Sequence, residues 1–393
     1  MKALNKTNIL EINFDSLECK ESLDSKLSII QNKLHNFNNS YVGNKRRLLA
    51  KIIKAIDEAG IKYDSVLDLF CGSAFFSMAM KLLDKKVICN DILDFCYVNA
   101  LTCVVNTKTS LTDEEKEYLI NNKTQKKIPS YLLKYKDRFT ENELKFIADF
   151  DYNRESLFSS FFSDGLTWMK SSLANASLFN YIMSHCFIGG RLNNGQILAK
   201  LEHRLKDFPN NKKEMSFKSI KWIEPIYPED INRHKVFLED AIDLLERKDE
   251  LNIFPDLCYI DPPYGGQQSD YANMYDFFEK YLNNGIEYKN IEDIPVSFNK
   301  QTKETIRKEI EGKKRFINKK NYSKHFEKLI NLTSYIPWIV ISYNNSSWGS
   351  IEEIRKIVKK YRKNIIIKDF SFSYNYRNRR NRRGKEYLIL AGK

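Results

Sequence analysis

Four residues, Asp261, Pro262, Pro263 and Tyr264, follow directly on the apolar run LCYI and stand where a buried strand would end. Ligands gather beyond the carboxyl ends of strands in open α/β sheets, so an aspartate there is placed for use. The two prolines have a fixed φ and no N–H to donate, so the backbone presents only carbonyl oxygens in a preset direction. An exocyclic amine set against this wall can give one hydrogen to the Asp261 carboxylate and the other to the Pro262 carbonyl. Those bonds draw the nitrogen from planar toward tetrahedral and free its lone pair. Tyr264 offers a ring face on which a base can stack. An amine so held can take a methyl group in line from a sulfonium, with no covalent enzyme intermediate. Acceptors fixed beside the nitrogen stabilise that transition state more than the ground state. A base inside duplex DNA cannot reach such a wall and must be flipped out. The competing reading is a structural Asp-Pro-Pro turn with a core tyrosine.

A methyl donor needs a second set of residues. SVLDLF is followed by CGSA, so Asp68, Phe70, Gly72 and Ser73 fall on a strand-to-helix turn, and Asp91 closes the next apolar run, VICN. Such a turn lets backbone N–H groups approach a ligand, while an acid about twenty residues on takes a ribose hydroxyl. A pyrophosphate would want G-x-G-x-x-G, whereas Ala74 stands where another glycine is expected. A nucleoside cofactor without phosphate, held by its ribose through Asp91, fits better. The alternative is a plain sheet-edge turn with Asp68 capping the helix. Upstream, YVGNK places Tyr41 where it could lie against an adenine or methionine moiety, and Lys45 where it could meet a carboxylate. A turn and a solvated first helical turn would use the same residue types.

These residues need a scaffold. Leu48, Leu49, Ile52, Ile53 and Ile56 recur at helical spacing, which predicts a helix from just after Gly43 to a stop at Gly60. Strands are expected over 65–70 and 87–90, with a helix between them lined by Phe76, Met80 and Leu83. Strand, small-residue turn, helix, and strand ending in an acid is the grammar of a parallel sheet. The grammar lapses from 105 to 231, where Thr112 with Glu115 and Thr140 with Glu143 read as capping boxes. It resumes with strands over 234–240, 256–261, 338–344, 364–370 and 386–392, and with a helix capped by Ser350 with Glu353. The expectation is one α/β sheet assembled from 39–105 and 232–393, with 106–231 let into it as a module and 1–38 as a polar lead-in holding a helix.

With 393 residues and 42% hydrophobic content the chain can bury a real core. Lys and Arg number 64 against 51 acids, a net charge of +13 that suits a polyanionic partner. No apolar leader or long apolar run marks export or membrane insertion. Cys19, Cys71, Cys89, Cys96, Cys103, Cys186 and Cys258 are scattered and form no zinc spacing, so a reducing cytoplasm and no structural metal are expected. The tract SYNYRNRRNRRGK interleaves aromatics with arginines and carries no acid. It reads as a loop or hairpin above the catalytic edge in which Arg379, Arg380, Arg382 and Arg383 grip DNA phosphates; a solvated basic loop is the alternative. In the insert, Arg191, Asn193, Asn194 and Gln196 are able to pair with base edges, with polar loop chemistry the alternative for any one of them, while His185 and His203 read as structural.

In motif and order the chain resembles the Dam-like N6-adenine DNA methyltransferases of bacteria and phages. YVGNK is similar to their N-terminal cofactor motif, DLFCGSA to their first-strand motif and DPPY to their catalytic motif, with target recognition between the two halves. The resemblance implies a Rossmann-like S-adenosylmethionine-dependent methyltransferase sheet with an inserted, mostly helical target-recognition module. It implies that Tyr41, Lys45, Asp91 and Asp261 contact S-adenosylmethionine, with Asp240 a weaker candidate for the cofactor's adenine, and that Asp261 to Tyr264 hold the flipped base. It also implies a site-specific enzyme on double-stranded DNA, acting either alone or beside a cognate restriction endonuclease, and a monomer or weak dimer. Methylation of N4 of cytosine or of an RNA adenine, and a non-catalytic DNA-binding subunit of the same fold, stay open. Asp rather than Ser as first residue of the four leans toward adenine. No cysteine follows a proline, which argues against attack at C5 of cytosine.

Overall fold

The computed structural model describes residues 22–35, 37, 41, 43–158, 165–186, 197–207, 215–226, 233–263, 270–286, 291–295, 297–344, 348–374 and 382–393. Seven strands form one sheet: β1 Ser65–Asp68, β2 Lys86–Asp91, β3 Lys235–Leu238, β4 Leu257–Ile260, β5 Trp338–Asn344, β6 Asn364–Tyr374 and β7 Arg382–Gly392, in the order β3-β2-β1-β4-β5-β7-β6. The first five are mutually parallel, and β7 runs antiparallel to both β5 and β6. The expectation of parallel pairing therefore gives way at the last two strands. Only seven residues separate β6 from β7, too few for the crossover that parallel strands require.

β1 and β4 are neighbours although nearly two hundred residues apart in sequence; the chain leaves the sheet after β2, rejoins it at the edge strand β3, and crosses from there to β4 at the centre. Alternation along each strand divides the core in two. Val66, Cys89, Tyr259, Val340 and Leu388 face one apolar cluster, while Leu67, Ile88, Cys258, Ile341 and Ile389 face the other. Helices Leu49–Glu58 and Phe75–Leu82 bury their apolar sides in the first cluster, and Ala241–Glu246, Tyr322–Leu332 and Ile351–Lys359 in the second. Between β2 and β3 the described elements are helices, and the two long ones, Glu141–Phe158 and Gly165–Cys186, share the first cluster through Ile147, Phe150, Leu178 and Phe179. Lys81 ties helix Phe75–Leu82 to the start of the segment that leaves the sheet after β2. Its fully buried ammonium donates to the carbonyls of Val104 at 2.9 Å and Asn106 at 2.8 Å, at the end of a π-helical turn, Leu101–Val105.

The capping boxes at Thr112 and Thr140 are present, and Ser350 caps its helix. The helix expected just after Gly43 begins later, at Leu49. Gly43 has φ +79°, and Asn44 hydrogen bonds both Arg46 N–H and the Tyr41 carbonyl, a local arrangement that competes with helix. The result is an open turn that lays Lys45 over the sheet edge. No helix among the described residues is long and apolar enough to cross a membrane.

Candidate active site

Side-chain alternation decides which acids meet. Asp68 ends β1 with the parity of Val66, Asp91 ends β2 with that of Cys89, and Asp261 follows β4 with that of Tyr259, so all three share one face at one edge of the sheet. They line a single cleft with Tyr41, Lys45, Phe70, Gly72, Ser73, Asp240, Pro262 and Pro263. Thus every candidate cofactor residue comes together, along with the described part of the catalytic motif. Tyr264, Arg379 and Arg380 lie outside the described residues, as do Arg191, Asn193, Asn194 and Gln196. Arg382 and Arg383 open β7 opposite Tyr374 and Ser373. His185 packs at a tilt against Tyr181 with ring centroids 4.1 Å apart and His203 sits 3.7 Å from Glu202, neither of them in the cleft.

The turn after β1 is pinned from below. Asp91 Oδ2 accepts from Gly72 N–H at 2.8 Å and its Oδ1 from Leu93 N–H at 3.1 Å. Each carboxylate oxygen already serves the backbone, leaving second lone pairs for a ligand. Burial pushes this acid upward while those N–H bonds hold it down, with a net rise. Gly72 and Ala74 both adopt the left-handed region, at φ +50° and +59°. A Cβ on Gly72 would stand 3.0 Å from the Tyr41 ring, so glycine serves both the turn and the close approach of the tyrosine. Gly72→Ala should cost about 1–2 kcal/mol of stability from backbone strain alone and should weaken cofactor binding; chemical denaturation and a binding titration check both.

Asp68 does not cap the following helix, whose first flanking residue is Ala74. It is 1% exposed; Oδ2 accepts from Ser77 Oγ at 2.6 Å and Oδ1 has no hydrogen-bond partner among the described residues. Burial pushes its carboxyl up to about 7; the Ser77 bond opposes this, and the nearby charges of Asp261 and Asp91 add to it. An acid raised above its unfolded value of about 4 contributes stability that is present at acid pH and lost as pH rises through the folded value. The cofactor-free protein should therefore lose up to about 4 kcal/mol between about pH 4 and 7 through this group. Asp68→Asn should flatten that part of a melting-temperature profile. Glu279, which burial also pushes up to about 7, is common to both proteins, so their difference isolates Asp68.

Lys45 meets carboxylates as expected, but from the protein itself. Its Nζ lies 3.0 Å from Asp261 Oδ2 and 3.1 Å from Glu386 Oε1, with the lysine 8% exposed. Burial would lower its affinity for a proton, and the two acids more than reverse that. Glu386 carried no signal in the sequence beyond an acid in a strand. Asp240 caps helix Ala241–Glu246 through Ile242 and Asp243 N–H and pairs with Arg315 at 2.6 Å, so its Oδ1 is engaged locally while the residue still lines the cleft. Arg315 belongs to a second missed element, helix Lys300–Arg315, whose end brings Gly312, Lys313 and Phe316 to the far wall. Gly312 is packed so closely on Ile92 and Asp240 that a Cβ would stand 2.6 Å from Ile92 Cδ1. Phe316 meets Phe70 edge-on at 5.4 Å.

A wall of aspartates with one buried carboxylate oxygen unclaimed suits hydroxyls, amines and cations and repels phosphate. The aromatic and aliphatic side chains between them suit a nucleoside's ring. The cleft therefore fits a phosphate-free nucleoside cofactor that carries positive charge.

Comparison with known proteins gives a consistent result. A family model described as D12 class N6 adenine-specific DNA methyltransferase matches residues 41–366. The chain is similar to the Type II methyltransferase M2.HphI of Haemophilus parahaemolyticus, 21% identical over 357 residues that cover 89% of this chain and 96% of that protein. It is also similar to the Type II methyltransferase M.FokI of Planomicrobium okeanokoites, 24% identical over 345 residues, 82% of this chain and 47% of the relative. The chain thus spans nearly the whole of the first and about half the length of the second.

Proposed function

Because the chain belongs to the D12 class N6 adenine-specific DNA methyltransferase family, we propose that Asp261 and the Pro262 carbonyl hold the N6 amine of a flipped adenine at the cleft where the cofactor binds. When bound, S-adenosylmethionine would supply a methyl already activated on a sulfonium sulfur; Asp261 and the Pro262 carbonyl would hold the amine with its lone pair toward that methyl, and the amine's surplus proton would pass to water. The chain's own residues set the geometry. Asp68, Asp91, Asp240, Phe70, Gly72 and Ser73 hold the nucleoside part, and Tyr41 and Lys45 close the near side. Pro262 and Pro263 fix the direction of the acceptor carbonyl, and Tyr264 supplies the stacking face for the base. No group need take up the methyl first, so no nucleophilic side chain is required.

The observation that carries this reading is the placement of Asp261 at the end of β4, on the face shared by Asp68 and Asp91 and paired with Lys45. The insert between the halves supplies target recognition, and the β6–β7 hairpin supplies phosphate contacts on double-stranded DNA. One chain builds the whole cleft, which supports a monomer, or at most a weak dimer, as the working unit. The Type II names of both relatives support a cognate restriction endonuclease as the partner in the cell and cytoplasmic DNA as the substrate. Sequencing that reads modified bases, applied to DNA from cells expressing the protein, should find N6-methyladenine confined to one short sequence. N4-methylcytosine in its place would overturn the assignment of the base.

A further inference from the structure

Glu386 stands one side chain back from the cleft, and three strands bring its neighbours together. Asp261 follows β4, Ser342 and Asn344 lie on β5, and Glu386 on β7 is the cross-strand partner of Asn344. Its Oε1 accepts from Ser342 Oγ at 2.6 Å and lies 3.1 Å from Lys45 Nζ; its Oε2 takes Asn344 Nδ2 at 3.4 Å. Lys45 in turn lies 3.0 Å from Asp261 Oδ2. Glu386 is 3% exposed. Charges buried this deeply are expensive to desolvate, and apolar side chains of similar volume often hold a fold as well. Their use must then be electrostatic.

The arithmetic of the cluster suggests what that use is. Lys45 with Asp261 alone would be neutral, whereas the three groups together carry a net charge of one negative unit. Methyl transfer moves positive charge from sulfur to the amine nitrogen, so an uncompensated ammonium beside Asp261 would oppose the bound donor and the transition state alike. We propose that Glu386 is a positioning residue that cancels the charge of Lys45, so that Asp261 presents a net negative wall to a sulfonium and to an amine becoming cationic. Ser342 and Asn344 fix the glutamate so that this compensation is built in before any ligand arrives. Lys45 is then the rigid link that aims Asp261, and Glu386 makes that link electrostatically silent. This inference rests on the reading of Asp261 as the amine acceptor.

Charge and fit are separated by titrating the whole protein with S-adenosylmethionine, whose sulfur is cationic, and with S-adenosylhomocysteine, whose sulfur is neutral. Glu386→Gln keeps the shape and a hydrogen-bond acceptor for Ser342 but exposes the lysine's charge. It should weaken the sulfonium ligand roughly tenfold relative to the thioether, the size of one unit charge acting through a partly screened interior. Adding Lys45→Met, so that Asp261 again carries the cluster's single charge, should restore the wild-type ratio of the two affinities. Equal weakening of both ligands by Glu386→Gln, an unchanged ratio, or a double variant whose ratio moves further from wild type would overturn the proposal. Should the single variant not fold, the double variant decides alone, since a shifted ratio there is incompatible with charge compensation. Retained methylation by Asp261→Ala, which removes the acceptor oxygens, would strike at the acceptor reading instead, and the two failures are told apart by which variant misbehaves.

Discussion

Asp261→Ala should lower the rate of methyl transfer on the order of 10³-fold, the size expected when a preset charged hydrogen-bond partner is removed from a developing charge. The substitution leaves Lys45 paired with Glu386, so no ammonium is stranded in the core and the fold should survive. Binding of DNA should persist, because the phosphate contacts we propose lie on the β6–β7 hairpin. Single-turnover transfer measured with labelled S-adenosylmethionine, beside a melting curve and a DNA titration, separates these effects. A variant that turns over at the wild-type rate would remove Asp261 from the chemistry, and one that loses folding and transfer together would leave it a structural role only.

Replacing Arg379, Arg380, Arg382 and Arg383 together with serine should weaken DNA binding by about two orders of magnitude near physiological salt. The slope of log affinity against log salt should become shallower by about 0.9 for each phosphate that is no longer neutralised. The geometry behind this is the register of the last two strands. Asn344, at the end of β5, pairs with Glu386, yet β6 and β7 continue pairing for four more positions, from Ser371 with Lys385 to Tyr374 with Arg382. At about 3.4 Å per residue the hairpin reaches more than 10 Å past the edge where the cleft opens. An arm of this length, with Arg382 and Arg383 opening β7, supports the proposal that it meets the backbone of the DNA. Unchanged affinity across several salt concentrations would mean that the arginines are a solvated loop.

Much of the scaffold was legible because its signals are local. Buried parallel strands read as apolar runs, and β5 occupies 338–344 as the run WIVISYN suggests. The helix Leu49–Glu58 buries Leu49, Ile52, Ile53 and Ile56, the stripe that its spacing announces. The acids at strand ends were found for the same reason, since position at a carboxyl edge follows from the strand's own end. What escaped depends on long-range pairing. Glu386 acquires its meaning from Lys45, which is far from it in sequence, and nothing in EYLILAG distinguishes it from a solvent-facing acid at a strand end. Helix Lys300–Arg315 is polar nearly all round, with only Ile310 and Gly312 buried, so periodicity could not announce that it walls the cleft. The one hint was a glycine in the last turn of a charged helix, where the backbone comes close to Asp240. The late start of the first sheet helix was missed because the side-chain bonds of Asn44 compete with a helix and leave no mark on apolar spacing.

We propose that the oxygen wall at Asp261 and Pro262 delivers the amino group of an adenine in DNA to an activated methyl. The most direct measurement incubates the wild-type protein with S-adenosylmethionine labelled in its methyl group and unmethylated double-stranded DNA, then digests the DNA and separates its nucleosides. The label should appear in N6-methyladenosine of the deoxy series, in the wild-type reaction and not in that of Asp261→Ala. Label in N4-methylcytosine, label only when RNA is offered, or no transfer while DNA is still bound would contradict the account.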